Sequence, residues 1–532
     1  MINRRRFLST VGAVGSAALF SPSDLLRARL MAGTPFFGLH PFIDAHPEAV
    51  FIKRTRVPYK TDAETKKQEG YELATEIFML RDTPGIPLSH KIAIKPNLTC
   101  TSGTGGTEAG MGIITDSAFV EGMLEGIKHA GFPASRIYLR EGNWLGDAYC
   151  PSERTVGGYL DVAARTGVHL TDFDSGRSAH ELSRETLEEG TEVTWVDCPD
   201  GVVFRRIGYV APINQPDTWL LNIAKFKAHG MGMTLCCKNH QGSCIHPHIH
   251  FCEGVANTLR HPEDVLQDFK PDLDEHVQEL HAQHLARGVA RWDRPGRTWD
   301  SGYGMEMWAQ RTLDNLSVTD TGFSIIEGIY GRNGNGFTKG PGPNDTAEDF
   351  LSNILIFGRD PVRVDIIGAW LSGHEPGNFG LFHAALDRGL SNVLDPRDIP
   401  LYLWSSGTPT LTPLTEFERT PLVTYYLRRD YPGSTTSEPY YHLVDEPFDY
   451  EPYRTGLPVP DPVSDLQVSA SGRTVLLAWS KANRANAYRV EYNSTLATGG
   501  AWKSLGVTSQ NSLTDAMVEG ETRRFYRIVS LP

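Results

Sequence analysis

Residues Lys91–Arg140 read KIAIKPNLTCTSGTGGTEAGMGIITDSAFVEGMLEGIKHAGFPASRIYLR. Ile92 and Ile94 alternate with their neighbours across KIAIKPNL, the period of a strand. A Gly/Thr-rich loop, Thr101–Gly112, follows. Thr115–Ala130 then sets Phe119, Met123 and Ile127 at helical spacing behind Thr115 or Asp116 as N-cap. Arg136–Arg140 is strand-like again and runs into Glu141-Gly142. Strand, loop, helix and strand at this spacing make an α/β unit with a parallel sheet. The expected fold is an α/β main body whose largely parallel sheet is flanked by helices.

The same alternation extends in both directions. Upstream, FIKRTRVPY predicts a strand and AETKKQEGYELATEIFML an amphipathic helix. Downstream come TVGGYLDVAARTG as a helix, VHLTDFD as a strand, VVFRRIGYVAPI as a hairpin and TWLLNIAKF as a strand. Residues 262–316 read as helical and charged, with His276, His281 and His284 as solvated helix residues. LSVTDTGFSIIEGIYG returns to strand and loop, and SNILIFG is a buried-type strand. DPVRVDIIGAWLSG is a helix capped by Asp360, with Pro361 in its first turn. The expected divisions are a lead-in at 33–87 and a body at 88–410 with a helical insertion at 256–315. An extension or linker at 411–460 follows. Beyond 461 only short strands and polar turns appear. Their order resembles a small fibronectin type III domain, an all-β sandwich over 461–532 with Trp479 in its core and Tyr488, Tyr492 and Tyr526 on later strands.

The chain has 532 residues and a net charge of −13. That length predicts two or three domains. The acidity argues against nucleic acid or an anionic membrane as the main partner. Residues 1–32 begin MINRRRFLSTVG, where Arg4, Arg5 and Arg6 precede Phe7-Leu8 and a modest apolar run. This resembles a twin-arginine signal peptide, which implies the twin-arginine export machinery as a partner and a periplasmic or extracellular location. The run is too short and too rich in Gly and Ser for a stable membrane span. Its removal takes five arginines and one aspartate, moving the charge from −13 to −17. Seven cysteines do not make a disulfide scaffold in a chain of this size.

Chemistry-bearing residues crowd into Leu221–Glu253, LNIAKFKAHGMGMTLCCKNHQGSCIHPHIHFCE, with five of the 18 histidines and four of the seven cysteines. Lys225 and Lys227, two apart on a strand, share a face, and His229 keeps their parity. Two ammonium groups and an imidazole at a strand end suit an anion site or a general base beside a lysine; surface charge is the plainer reading. Lys238 and Asn239 follow closely. Cys244, His246, His248, His250 and Cys252 alternate strictly, so an extended chain would put all five on one face. Imidazole and thiolate together favour zinc, copper or iron. The competing reading is a Cys244–Cys252 disulfide with surface histidines. Cys236-Cys237 read as buried core thiols. Glu141 ends a strand, where α/β proteins gather functional groups. Gly334 and Gly336, in a glycine-rich loop, could offer backbone amides to an anion, but no nucleotide P-loop is present. No nucleophile elbow is present either.

Four motifs together resemble one family: KPN at Lys95–Asn97, NIAKFKAH at Asn222–His229, TLCCKNHQG at Thr234–Gly242 and DPVRVD at Asp360–Asp365. They are similar to the bacterial and archaeal Domain of Unknown Function 362 family over roughly residues 88–395. The resemblance implies an α/β domain, sometimes joined to a ferredoxin-like module. This chain has no ferredoxin-type iron–sulfur motif, so no electron-transfer role is carried over. It also departs from the family pattern in offering Glu327-Gly328, with Asp320 upstream, before its glycine loop. Asp365 matches a family position and is expected to pair with a lysine or to form a structural salt bridge.

The expected function is an exported enzyme, metal-dependent if the Cys/His run binds a metal, that acts on a small anionic or carbohydrate-like substrate. Lys225, Lys227, His229, Lys238, Asn239 and Asp365 are the candidate catalytic residues. Lys95, Asn97, Glu141, Gly334 and Gly336 are the candidate substrate-binding residues. The alternatives are a non-catalytic metal- or ligand-binding envelope protein, or a structural or adhesive protein making polysaccharide contact through its C-terminal domain.

Overall fold

The computed structural model describes residues 35–98, 112–142, 158–170, 187–245, 248, 267–298, 300–334, 347–424, 446–454, 461–483, 485, 487–494, 502–508, 510–517 and 523–531. The signal-like segment 1–32 lies outside them.

One sheet organises the body. Its strands are β1 (Val50–Arg54), β2 (Lys91–Pro96), β3 (Ile137–Leu139), β4 (His169–Leu170), β5 (Thr218–His229), β6 (Gly232–Thr234), β7 (Thr321–Arg332), β8 (Asp349–Gly358), β9 (Leu401–Ser405) and β10 (Thr408–Leu411). The order is β10-β9-β1-β8-β7-β5-β2-β3-β4, with β6 folded back on β5. From β7 through β4 all neighbours are parallel; β8 runs against both β7 and β1. The sheet is mixed, with mostly parallel pairing at its centre. The lead-in strand β1 lies inside this sheet, between β8 and β9.

Helices α1 (Ala63–Ile77), α2 (Ser117–His129) and α3 (Tyr159–Thr166) precede β5, and α4 (Cys236–Asn239) follows β6. After them come α5 (Leu273–Ala286), α6 (Gly302–Val318), α7 (Pro361–Leu371) and α8 (Gly380–Asp387). Asp116 caps α2, accepting from the amides of Ala118 and Phe119, and Asp360 caps α7 through Val362 and Arg363. Each cap satisfies amides that a helix start leaves unpaired.

β2 leads through α2 to β3, moving one way along the sheet. β5 returns to the other side of β2 and leads through α6 to β7. The two crossover helices therefore cover opposite faces, as right-handed connections in opposite directions require. Ile92, Ile94, Leu221 and Ile223 pack under α2 with Phe119 and Met123. Ala224, Phe226 and Ala228 pack on the other face with Met305, Trp308 and Leu313 of α6. The strand order reverses between β2 and β5.

Three sequence expectations change. Arg206–Val210 pairs with Val193–Asp197, so the hairpin partner lies upstream of VVFRRIGYVAPI. α6 belongs to the β5-to-β7 crossover and is integral to the body. His284 is buried: its Nδ1 meets Glu306 at 2.6 Å and its Nε2 meets Asp387 at 2.9 Å. Burial draws its pKa down, but those carboxylates outweigh burial and push it up to about 9.

The C-terminal region forms two three-stranded antiparallel sheets. One is β11 (Gln467–Ser471), β12 (Thr474–Ala478) and β15 (Ser512–Ala516); the other is β14 (Lys503–Thr508), β13 (Ala487–Asn493) and β16 (Phe525–Leu531). Leu477, Trp479, Tyr488 and Val490 are buried between them. No helix among the described residues is long and apolar enough to cross a membrane.

Candidate functional site

The strand order reverses between β2 and β5, and the carboxyl ends of strands at such a switch point are where open α/β sheets bind ligands. Most of the catalytic and substrate-binding candidates reach this edge, but the sheet divides them.

On the α6 face, Lys95 projects from β2. Its Nζ donates to Glu141 Oε2 at 2.6 Å, to the Pro96 carbonyl at 2.6 Å and to Asn239 Oδ1 at 3.1 Å. An ammonium has three N–H groups, so these partners occupy all of them. Lys95 and Glu141 are both fully enclosed. Burial pulls the ammonium below the usual lysine range and pushes the carboxyl above its own, each opposed by the other. A Cβ at position 242 would stand 2.4 Å from Glu141 and 2.7 Å from Lys95, so Gly242 is what lets the chain pass over the pair. Asn239 continues the network, donating to the Lys95 carbonyl at 3.2 Å and to Asn222 Oδ1 at 2.7 Å. Asn97 donates to Asn239 Oδ1 at 3.1 Å, and among the described residues its own buried Oδ1 has no partner. His240 meets Asn222 and Thr321 through Nε2, and burial lowers its pKa to about 3.

On the α2 face, Lys225 and Lys227 share the parity of Leu221 and Ile223. Lys225 Nζ lies 2.7 Å from Glu327 Oε2, and both side chains are inaccessible to solvent. Glu327 is held further by the amides of Asp116 at 3.1 Å and Ile329 at 3.0 Å. The residue marked as the departure from the family pattern is thus the counter-ion of the strand lysine. Lys227 Nζ donates to the Ile113 carbonyl at 2.6 Å. His229 accepts the Met231 amide at Nδ1, 3.1 Å away. Burial and then the charges of Lys238 and Lys227 hold its pKa well below 6.5, so the ring is neutral at pH 7. With Nδ1 accepting, the proton sits on Nε2, and His229 offers an N–H to a ligand. Lys238 is half-buried, and its field reaches Glu141 as well as His229.

Several expected site residues stand elsewhere. Asp365 meets no lysine among the described residues: its two oxygens accept the amides of Cys236 at 2.6 Å and Cys237 at 2.8 Å, closing the start of α4. Burial pushes its carboxyl up to about 7. Cys236 and Cys237 are buried, with thiols held well above their usual range. The Gly334 amide donates to the Val423 carbonyl at 2.7 Å and so faces no anion; Gly336 lies outside the described residues.

The alternating Cys/His run does not begin as an extended strand. Cys244 leaves a 3-10 turn, and the His248 amide donates to the Ile245 carbonyl at 3.0 Å. Cys244 is a free, buried thiol that donates to Asn315 Oδ1 at 2.8 Å, and burial pushes it up to about 12. His248 accepts the Gly208 amide at Nδ1, 3.0 Å, and faces Asp268 from Nε2 at 3.1 Å, so both ring nitrogens are occupied. These contacts correct both the shared face and the disulfide reading for Cys244 and His248. His246, His250 and Cys252 lie outside the described residues. Among the described residues, no group of three or more His, Cys, Asp or Glu side chains is arranged to hold a metal.

A sequence model described as domain of unknown function (DUF362) matches residues 92–370, more than half of the chain. The protein belongs to the DUF362 family. The matched span starts in β2 and ends in α7, so it contains both faces of the site. The strands β1, β9 and β10, which complete this DUF362 sheet, and the C-terminal β region lie outside it. No curated protein matches the chain.

Proposed function

We propose that this DUF362 protein is an exported enzyme that binds a small anionic or carbohydrate-like substrate at the edge of β5 and β7, on the α2 face. The observation that carries this reading is Lys225, an ammonium with no solvent exposure that meets one acceptor, Glu327, among the described residues. Burying a charge is costly unless its hydrogen-bonding capacity is used. A ligand oxygen supplies the acceptors that the described residues do not. Lys227 adds a second cation on the same face, and the neutral His229 donates from Nε2 to a substrate oxygen. That donor polarises a carbonyl or stabilises developing negative charge, as a preorganised hydrogen bond does in a water-poor site. Asn97, Glu141, Lys95 and Asn239 hold the neighbouring strand end in place.

Thermal unfolding of the full chain with increasing phosphate, malonate or glucose tests the site. The expected result is a saturable rise in Tm with an anion that disappears in Lys225→Met/Glu327→Gln; an equal rise in that variant contradicts it.

Export through the twin-arginine route is supported by Arg4, Arg5, Phe7 and Leu8. Replacing Arg4 and Arg5 with lysine should leave the protein in the cytoplasmic fraction; unchanged export would contradict that route. The paired three-stranded sheets around Trp479 support a fibronectin type III-like spacer at the C-terminus.

A further inference from the structure

β7 does not run evenly beside β5. Glu327 is paired with Lys225 and Arg332 with Lys227, so Gly328, Ile329, Tyr330 and Gly331 together lie opposite Phe226. Bulges of this kind re-aim side chains at strand ends. The sequence allows it because both ends of the bulge are glycine. A Cβ at 331 would come within 3.0 Å of the Phe226 ring, and one at 328 within 2.9 Å of the Ile354 carbonyl. The bulge carries Tyr330 on the α2 face. The side chain is 6% exposed and packs in the α2-side core, yet among the described residues its buried hydroxyl has no hydrogen-bond partner. Buried hydroxyls are nearly always satisfied.

The groups facing that hydroxyl define what it can do. Asp116, Asp62, Glu327 and Asp349 all act on it. Asp116 pairs with Lys66, Glu327 with Lys225, and Asp349 with Lys60 and Arg332, while Asp62 caps α1. Burial first, and these carboxylates after it, push the phenol up to about 12, so it stays protonated. It is a donor that lacks an acceptor among the described residues, in the field of the carboxylate that pairs with Lys225.

We propose that Tyr330 is a ligand-contacting residue of this site, whose hydroxyl donates to one oxygen of an anionic group while Lys225 holds another. The ligand class that fits has two or more oxygens on one centre, a carboxylate or a phosphate. This inference rests on the anion site proposed above.

Calorimetric titration of the full chain with inorganic phosphate and with malonate, together with its Tm, separates the two readings. Tyr330→Phe removes only an unpaired hydroxyl, so Tm should hold or rise. Binding of the preferred anion should weaken roughly tenfold, the loss of a hydrogen bond to a charged group. Tyr330→Phe binding that matches wild type, while Lys225→Met/Glu327→Gln does not bind, overturns the role of Tyr330 and leaves the site standing. Weaker binding with a matching loss of Tm assigns Tyr330 a structural role and also overturns it. Wild-type protein that binds neither probe, or a double variant that binds normally, overturns the site and this inference together.

Discussion

Two buried lysine–glutamate pairs stand on adjacent strands at one end of the sheet, and they are built differently. Lys95 and Glu141, beneath the α6 face, belong to a closed network: the ammonium has three acceptors, and Glu141 also accepts the Leu98 amide. Lys225 and Glu327, beneath the α2 face, satisfy the carboxylate but give the ammonium one acceptor among the described residues. Residue type and burial are the same, so neither separates the two roles. The count of unmet donors does. A saturated pair fixes chain geometry, whereas an unsaturated one can receive a ligand.

The largest effect should come from breaking the closed network. Glu141→Ala leaves Lys95 enclosed without its counter-ion and should cost about 3–5 kcal/mol of folding stability in chemical denaturation. A cost below about 1 kcal/mol, typical of an exposed pair, would mean that solvent reaches Lys95. Lys225→Met/Glu327→Gln removes both charges and keeps an amide oxygen for the backbone donors. It should cost less, about 1–2 kcal/mol, the range for a buried polar group losing part of its bonding. Equal losses in the two experiments would erase the distinction between the pairs.

Protonation gives a subtler measure of how dry the α6-face network is. The folded pKa of His240, about 3, lies below its ordinary 6.5, so its contribution to stability is full above pH 6.5. It is lost as pH falls through this window toward 3, because the unfolded chain takes up the proton first. The stability difference between wild type and His240→Gln should shrink across that interval. A His240 ring that titrates near 6.5 by NMR would show the network to be wet.

The smallest effect belongs outside the site. Arg489 reaches Asp398 at 3.1 Å where the C-terminal region meets the body, and both side chains keep some solvent contact. Arg489→Ala should cost under about 1 kcal/mol and leave anion binding unchanged. A loss comparable to that of Glu141→Ala would make this junction part of the core.

How much of this was readable in advance depends on the kind of information each feature needs. KIAIKPNL and the Asp116 and Asp360 caps are local patterns, and each appears where the spacing places it. The shared parity of Lys225 and Lys227 is local too. Their separation from Lys95 is not, because it depends on β2 and β5 presenting residues of opposite parity to a given face. Glu327 appeared only as a departure from the family pattern, since its pairing with Lys225 spans 102 positions. Asp365 looked like a lysine partner because charge is visible in sequence, whereas the two amides it caps are not. The alternation of Cys244 and His248 misleads because it has meaning only in an extended chain, whereas Cys244 leaves a 3-10 turn and the His248 amide bonds back to Ile245. Tyr330 had one usable signal, the paired glycines of EGIYG around an aromatic residue at a strand end.

The α2-face edge around Lys225 should bind an oxyanion, and the Lys95 edge should not. Anomalous diffraction from crystals of the full chain soaked in selenate tests it directly. The expected result is a selenium peak that places a selenate oxygen within hydrogen-bonding reach of Lys225 Nζ, absent in Lys225→Met/Glu327→Gln. A peak on the Lys95–Glu141 side, or no peak at Lys225 at saturating selenate, would contradict it.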